Sequence, residues 1–227
     1  HLGLDFEYVE SRWPPDTGIP FLGEANPVLA PVPRTTSYQS PFDDSQQELY
    51  RFRFTFEREI GEGLTLRNRF YYTELTWDSD GTLIVGAFPG PGGGLLVGRT
   101  LALLDDRQKL LGNQLELSAS FATGSVQHEL LTGFEIQSLK DRFTQEVGLL
   151  PPIGLVDPVE TAEPPIVTIP PFAQAGDSST LVVAPYLVDR LRFSEKVQAF
   201  VGARLDALDF EDPLNDTERD STKVNPL

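Results

Sequence analysis

The stretch YLVDRLRFSEKVQAFVGARLD, residues 186–206, continues a segment in which apolar residues recur at every second position. The polar triplet Ser194-Glu195-Lys196 divides it into two runs. A repeat of two is typical of β-strands, so the stretch predicts a hairpin with one apolar face. That face packs against either a protein core or lipid. Its residues are Val182, Ala184, Tyr186 and Val188 before the turn, and Val197, Ala199, Val201, Ala203 and Leu205 after it.

The same alternation recurs along most of the chain. The clearest example is YRFRFTF (50–56), in which aromatic residues alternate with Arg51, Arg53 and Thr55. The pattern predicts seven or eight strands, because two come from the hairpin and an eighth begins within 222–227. The other predicted strands cover 2–9, 46–58, 63–77, 113–122 and 126–139.

Strand length and loop length favour lipid over a soluble core. Segments such as 63–77 are about fifteen residues long, against a usual five or six, and give a rise of about 35 Å when tilted. Connections alternate between short and long, so all short turns lie at one end of the sheet and all long loops at the other. The short connections are 60–62, 123–125 and 194–196, and the long ones are roughly 10–45, 78–106 and 142–179.

Backbone groups in hydrocarbon must all be paired, so a lipid-facing sheet has to close into a barrel. The fold class predicted is therefore all-β, an antiparallel up-and-down transmembrane β-barrel. Seven or eight strands enclose too little space for the inward arginines, since an eight-stranded barrel is filled by its own side chains. We therefore expect an open fragment from which further strands are missing.

Composition excludes several classes of function. The chain has 34 acidic and 18 basic residues, a formal charge of −16, which argues against a nucleic-acid partner. It has no cysteine, so disulfides and thiolate sites are excluded. The sequence has no run of 18 apolar residues, which a membrane helix would need. It also has no G-x-S-x-G motif, which would indicate a serine nucleophile. We expect no enzyme activity, resident cofactor or metal site.

Three segments resemble the TonB-dependent outer-membrane receptors, especially their ferric-siderophore branch. ESRWPP and DTGIP (10–20) are similar to the segment in which these receptors leave a strand through an Asp-x-Gly-x-Pro turn. TGSVQHELLTGFE (123–135) resembles a hairpin of the family. Within 186–206, the residues Tyr186, Asp189, Gly202, Arg204 and Asp206 match its Tyr-x-x-Asp and Gly-x-Arg-x-Asp strands.

The resemblance implies that residues 1–227 are a central part of a barrel of roughly 22 strands. The plug domain and the closing C-terminal strands are expected to lie outside this chain. Short turns would be periplasmic and long loops extracellular, in a bacterial outer membrane. The implied function is uptake of a ferric siderophore, energised by TonB through the plug. Another cargo (cobalamin, haem or glycan) and a soluble secreted β-sheet binding module remain as alternatives.

Eight residues are candidate ligand contacts on this interpretation. Four aromatics in or beside the long loops are placed to stack on a chelator, and four inward arginines are placed to attract an anionic chelate. The arginines have an alternative role in ion pairs with the plug or with neighbouring strands. The candidates are Trp13, Tyr38, Trp77 and Phe88, and Arg51, Arg53, Arg67 and Arg69.

The hairpin itself receives a definite orientation. Its apolar set, including Tyr186 and Val188, is predicted to face lipid. Asp189, Gln198, Arg204 and Asp206 are predicted to face the lumen or its rim, and Ser194-Glu195-Lys196 to form the periplasmic turn.

Overall fold

A computed structural model describes residues 1–23, 26–166 and 173–226. Eight long strands form one antiparallel sheet in the order β1-β4-β5-β6-β7-β8-β9-β10. Two-residue strands β2 and β3 pair with each other in the segment that joins β1 to β4. The bounds are β1 Leu2–Trp13, β2 Phe21–Leu22, β3 Val28–Leu29, β4 Asp44–Gly61, β5 Leu64–Pro89, β6 Leu95–Thr123, β7 Val126–Gly154, β8 Gln174–Arg192, β9 Gln198–Asp212, a 3₁₀ turn Pro213–Asn215 and β10 Thr217–Pro226.

Long strands that follow one another along the chain are neighbours in the sheet, so the topology is up-and-down. In the described part of the chain the outer edges of β1 and β10 are unpaired, and the sheet is open. The predicted fold class, an antiparallel barrel fragment left open, is confirmed. No helix among the described residues is long and apolar enough to span a membrane.

Two of the long loops are shorter than predicted, because the strands continue into them. Within 78–106, β5 and β6 stay paired until Pro89 meets Leu95, and only the tip is a turn. Within 142–179, β7 continues to Gly154 and β8 begins at Gln174, while residues 167–172 lie outside the described residues. Alternation marks a strand only where one face is apolar. Towards the loop ends it fades, although the backbone ladder continues.

The register divides the sheet into two chemically different faces. Residues directly opposite each other on neighbouring strands point to the same side of the sheet. One side, here called the apolar face, includes Phe54 opposite Phe70, and Leu115 opposite Phe134. The other, the polar face, carries a band of charged and hydrogen-bonding side chains. Exposed members of the apolar face are Leu2, Leu4, Phe6, Tyr8, Tyr50, Leu111, Leu115, Phe121, Phe134, Ile136, Leu181, Leu187, Val201, Leu205 and Val224.

The aromatics of β4 and β5 lie on the apolar face as predicted, opposite in direction to the arginines beside them. Tyr8 and Tyr50 have ring centroids 4.8 Å apart, and Phe52 meets Phe70 edge-on at 6.2 Å. These cross-strand aromatic contacts stabilise the ladder without needing a buried core beneath it.

The predicted orientation of β8 is wrong. Tyr186 lies directly opposite Arg204, so these two residues share the polar face. Val188 follows Tyr186 on that face, whereas Asp189 lies on the apolar face, 2.7 Å from the ring of His128. The cause is the sequence LVVAPYLV (181–188), which is apolar at nearly every position. Its alternation therefore does not fix which residues face which side, and pairing with β7 and β9 decides it.

A compact hydrophobic core occurs only at the long-loop end of the described sheet. The segment between β1 and β4 folds over the ends of β6 and β7 there. Its Ala30 and Tyr38 pack against Val97, Ile153 and Leu155, all nearly inaccessible to solvent. These five residues and the loop segments around them are here called the loop platform, and the core holds them together. The rest of the described sheet is held by its backbone hydrogen bonds and by side-chain contacts on its two faces.

Candidate functional site

The centre of the polar face is a hydrogen-bonded network that crosses several strands. Tyr71 on β5 donates to the Glu135 carboxylate on β7 at 3.0 Å. Arg204 on β9 donates to the other oxygen of Glu135 at 2.9 Å and to Asp206 at 2.7 Å. Asn225 on β10 then donates to Asp206 at 2.7 Å. One chain of contacts between residues of β5, β7, β9 and β10 thus spans six neighbouring strands.

A second chain runs in the opposite direction and surrounds Tyr186. The Tyr186 hydroxyl donates to Glu116 on β6 at 2.7 Å and accepts from Gln114 at 2.8 Å. Glu116 also meets Arg67, which donates to Glu57 on β4 at 2.7 Å. The guanidinium of Arg204 lies 5.8 Å from the Tyr186 ring centroid. Both networks therefore meet at Tyr186 and Arg204.

Two glycines make this crossing possible. A Cβ added to Gly112 would lie 2.2 Å from Cζ of Tyr71, and one added to Gly133 would lie 2.3 Å from Cζ of Tyr186. Each tyrosine ring thus lies flat across a glycine of the adjacent strand and reaches a carboxylate on the strand after it. A glycine inside a strand often marks such a close approach.

The four candidate arginines have different surroundings. Arg51 pairs with Glu7 at 2.8 Å and Arg53 with Asp5 at 3.1 Å, both across the β1–β4 ladder. Arg67 pairs with two glutamates. Arg69 donates to the Gln114 amide oxygen at 3.1 Å and has no carboxylate within 4.0 Å among the described residues. The alternative of ion pairs with neighbouring strands therefore fits three of the four, and Arg69 keeps an uncompensated charge.

The two tryptophans approach the same part of the polar face. Trp13 lies opposite Ser45 on β4, and the indole nitrogen of Trp77 donates to the Ser45 hydroxyl at 2.9 Å. Trp13 is 37% exposed. Both tryptophans lie nearer the long-loop end of the sheet than the four arginines.

Tyr38 is placed differently from its prediction as a stacking residue. It is 1% exposed, and its hydroxyl donates to the Leu155 carbonyl at 2.6 Å. Burial raises the pKa of its phenol. The structure therefore gives Tyr38 a packing role in the loop platform, and its ring faces no open space for a ligand.

Arg99 organises that platform, and sequence reasoning missed it. Its side chain is fully buried, it donates to the carbonyls of Tyr38 and Pro151 at 2.9 Å and 3.0 Å, and it forms an ion pair with Glu160. Three separate segments are thereby held by one guanidinium. No local motif around Arg99 indicates this role, because all its partners are distant in sequence.

Phe88 lies at the far end of β5 and is 44% exposed. It lines a mainly apolar cleft of about 670 Å³ together with Val85, Leu149, Pro151 and Pro152. The cleft opens on the loop platform near Arg99, so Phe88 remains an accessible aromatic at the long-loop end.

Asp106 on β6 and Asp141 on β7 form no ion pair with any basic side chain that the structure describes. Asp106 is 7% exposed, and one oxygen of Asp106 and one of Asp141 are buried without a hydrogen-bond partner. Burial, followed by the neighbouring Asp141 carboxyl, raises the pKa of Asp106 to about 6. Asp106 and Asp141 lie nearer the long-loop end of the sheet than Leu111 and Ile136, which belong to the apolar face. Elsewhere at this end, the hydrogen bond from Arg12 holds the pKa of Asp44 below its usual value.

The described residues contain no group of three or more His, Cys, Asp or Glu side chains arranged to hold a metal ion. The polar face is a wall of charged groups, with the guanidinium of Arg69, which has no carboxylate within 4.0 Å among the described residues, and with aromatic side chains towards the loops. Such an arrangement suits electrostatic attraction and stacking of an anionic ligand.

Comparison with known proteins assigns this architecture to a protein family. Residues 2–226 match the family model described as TonB dependent receptor-like, beta-barrel. The chain is 26% identical over 226 residues to the catecholate siderophore receptor Fiu of Escherichia coli K12, covering 90% of this chain and 29% of that receptor. The chain therefore spans less than a third of the length of this relative.

Solved structures share the fold over nearly the whole chain. The siderophore receptor PiuA from Acinetobacter baumannii superposes with a TM-score of 0.77 at 20% identity, over 100% of this chain and 36% of that one. The ferripyoverdine receptor of the Pseudomonas aeruginosa outer membrane gives 0.79 at 13% identity, over 99% and 30%. At these identities the superpositions show the fold alone.

Proposed function

Because the chain belongs to the TonB dependent receptor-like β-barrel family, we propose that it is the central part of a barrel that imports ferric siderophores. The three sequence segments predicted that the chain belongs to this family, and the prediction is confirmed. Family membership also confirms the predicted location, the bacterial outer membrane. The apolar face accordingly meets lipid and the polar face lines the lumen.

The cargo assignment is supported by one observation above all. The Escherichia coli relative is named a catecholate siderophore receptor, PiuA a siderophore receptor, and the Pseudomonas aeruginosa protein a ferripyoverdine receptor. A catecholate chelate of iron is anionic and aromatic, which suits the uncompensated charge of Arg69 and the rings of Trp13 and Trp77, which lie farther towards the long loops. These three residues, with Phe88 at the loop platform, are our proposed ligand contacts.

Energy is proposed to come from TonB acting on a plug that fills the lumen. The charged networks of the polar face would then contact that plug, since a barrel wall with so many fixed charges needs a polar filling. Transport of this kind breaks no covalent bond in the cargo, and we propose no enzymatic step.

The test uses the full-length receptor in an iron-limited bacterium that lacks its own catecholate receptors. We expect uptake of radioactive iron supplied as a ferric catecholate, and loss of that uptake when TonB is deleted. Cobalamin and haem serve as alternative cargoes in the same strain. Uptake of either one, with no response to any ferric siderophore, would assign the protein to another branch of the family.

A further inference from the structure

Two arginines on the polar side of β5 have neighbours of different charge. Arg67 lies directly opposite one glutamate on β4 and another on β6, and it forms ion pairs with both. Arg69, two residues further along the same strand, lies directly opposite Thr55 on β4 and Gln114 on β6. Neither of these residues carries a charge. The strand register therefore neutralises Arg67 and leaves the charge of Arg69 uncompensated.

The side-chain amide of Gln114 connects Arg69 to the hydrogen-bonded network around Tyr186. Its oxygen accepts from Nη1 of Arg69 at 3.1 Å, and its nitrogen donates to the Tyr186 hydroxyl at 2.8 Å and to Glu116 at 3.2 Å. A guanidinium only donates, and the Tyr186 hydroxyl already donates its proton to Glu116. These partners therefore determine which end of the amide faces Arg69.

A neutral acceptor orients a guanidinium without cancelling its charge. Glutamate has almost the same shape as glutamine, but a carboxylate at position 114 would form an ion pair with Arg69, as Glu116 does with Arg67. It would also lie directly opposite Glu135 on β7, whose carboxylate already binds Arg204. The amide at position 114 therefore decides whether this part of the polar face presents a positive charge to the lumen.

We propose that Gln114 is a positioning residue that makes the lumen selective for anionic chelates, because it holds the guanidinium of Arg69 in place and leaves its charge for the ligand. Gln114 acts through Arg69 and makes no contact with the chelate itself. A fixed, uncompensated charge on a lumen wall attracts ligands of the opposite sign. The inference rests on the proposed function, and it names the ligand property, negative charge, that this part of the wall recognises.

The test is a titration of the detergent-purified full-length receptor with a ferric tris-catecholate chelate, followed by quenching of tryptophan fluorescence. Gln114→Glu is expected to raise the dissociation constant about fivefold, because the new carboxylate neutralises Arg69. Added salt should weaken binding to the unmodified receptor more steeply than binding to this variant. The matched control is Gln198→Glu, which adds the same charge to the polar face at the short-turn end, opposite Arg192, and should bind normally.

A double-mutant cycle separates positioning from a direct contact with the chelate. Gln114→Leu removes the acceptor and should weaken binding in the unmodified receptor, but it should have no effect in an Arg69→Gln background. In iron uptake, the change should lie in the half-saturating concentration and not in the maximal rate, which a general defect of the barrel would lower. Additive effects of the two substitutions would overturn the proposal, because Gln114 would then act independently of Arg69.

A second variant keeps the test valid if Gln114→Glu does not fold. Thr55→Glu places a carboxylate opposite Arg69 from β4 and should weaken binding to the same extent. Equal dissociation constants for the unmodified receptor and for the variants at positions 55 and 114 would overturn this inference alone. If the unmodified receptor binds no ferric chelate in the same titration, the proposed function fails, and this inference fails with it.

Discussion

Tyr186 lies flat across Gly133, with Cζ of the ring 2.3 Å from the place a Cβ would occupy. From there its hydroxyl donates to Glu116 on the strand beyond, at 2.7 Å. The same relationship occurs in reverse between Tyr71 and Gly112. Tyrosines of this kind connect strands that are not direct neighbours, so each one links three strands of the sheet.

Gly133→Ala is expected to destabilise the barrel by about 1–3 kcal/mol, because the new methyl group must displace the Tyr186 ring and its bond to Glu116. The measurement is thermal unfolding of the purified receptor, followed by its shift in electrophoretic mobility. Gly94→Ala is the control, since nothing lies within 4 Å of its added Cβ. In a Tyr186→Leu background the alanine should cost less; an equal cost would show that the ring contact is not the cause.

Arg99→Met is expected to cost about 3 kcal/mol or more in the stability of the loop platform, because it leaves Glu160 and the carbonyls of Tyr38, Gln39 and Pro151 without their buried donor. Hydrogen exchange should then accelerate in the segment 30–40 and beside Pro151. The comparison is Arg12→Met, whose ion pair with Asp44 is exposed to solvent and adds little to stability. Equal protection of the platform in the two variants would rule out a central role for Arg99.

Asp106 makes stability depend on pH in a definite direction. Its pKa is about 6 in the folded protein and about 3.9 in an unfolded chain. The folded state therefore binds more protons between these values, and stability falls as pH rises from about 4 to 6. Asp106→Asn removes this penalty, so the variant should gain stability relative to the unmodified receptor at pH 7.5 and show little gain at pH 4.5.

The readout for Asp106 is thermal unfolding at both pH values, with hydrogen exchange of the outer β6–β7 ladder as a local measure. Asp105→Asn is the matched control on the other side of the same strand, where the side chain is 55% exposed. A stabilisation by Asp106→Asn that is the same at both pH values would mean that Asp106 and Asp141 do not compete for a proton.

Arg69→Gln is expected to raise the half-saturating concentration of an anionic ferric siderophore about fivefold, equivalent to about 1 kcal/mol for a solvated charge. The reason is that Arg69 is the candidate arginine without a carboxylate partner among the described residues. Arg53→Gln, whose charge is already paired with Asp5, should have a smaller effect. The two variants are compared by concentration-dependent iron uptake; equal half-saturation for all three receptors would remove Arg69 from the proposed contacts.

Strand periodicity predicted the architecture where one side of the sheet meets lipid. The strands near Phe52, Phe70 and Leu115 were predicted because apolar and polar residues alternate there. Towards the long-loop end, beyond the part of the sheet that meets lipid, this alternation no longer marks the strands. There the outer parts of β5 and β6 are exposed to water on both sides or covered by loops. Their ladder depends on backbone pairing, which leaves no periodic signal in the side chains.

The candidate site was predictable only in part. The direction of Arg51, Arg53, Arg67 and Arg69 follows from alternation with aromatics, but whether each has an acidic partner depends on register between strands. Tyr186 shows the limit most clearly, since an apolar run gave no unique face and the pairing with Arg204 reversed the prediction. Tyr38 looked like an exposed loop aromatic, because nothing local in its sequence reports the distant Arg99 and Leu155.

The most direct test of the account is the accessibility of two adjacent positions on β8. The chain contains no cysteine, so Tyr186→Cys and Leu187→Cys in the full-length receptor each introduce a single spin-label site in this part of it. In reconstituted membranes, power-saturation EPR is expected to show Leu187 accessible to lipid-soluble oxygen and Tyr186 shielded from it. A label at position 186 that is more accessible to oxygen than one at 187 would contradict the assignment of the polar face to the lumen.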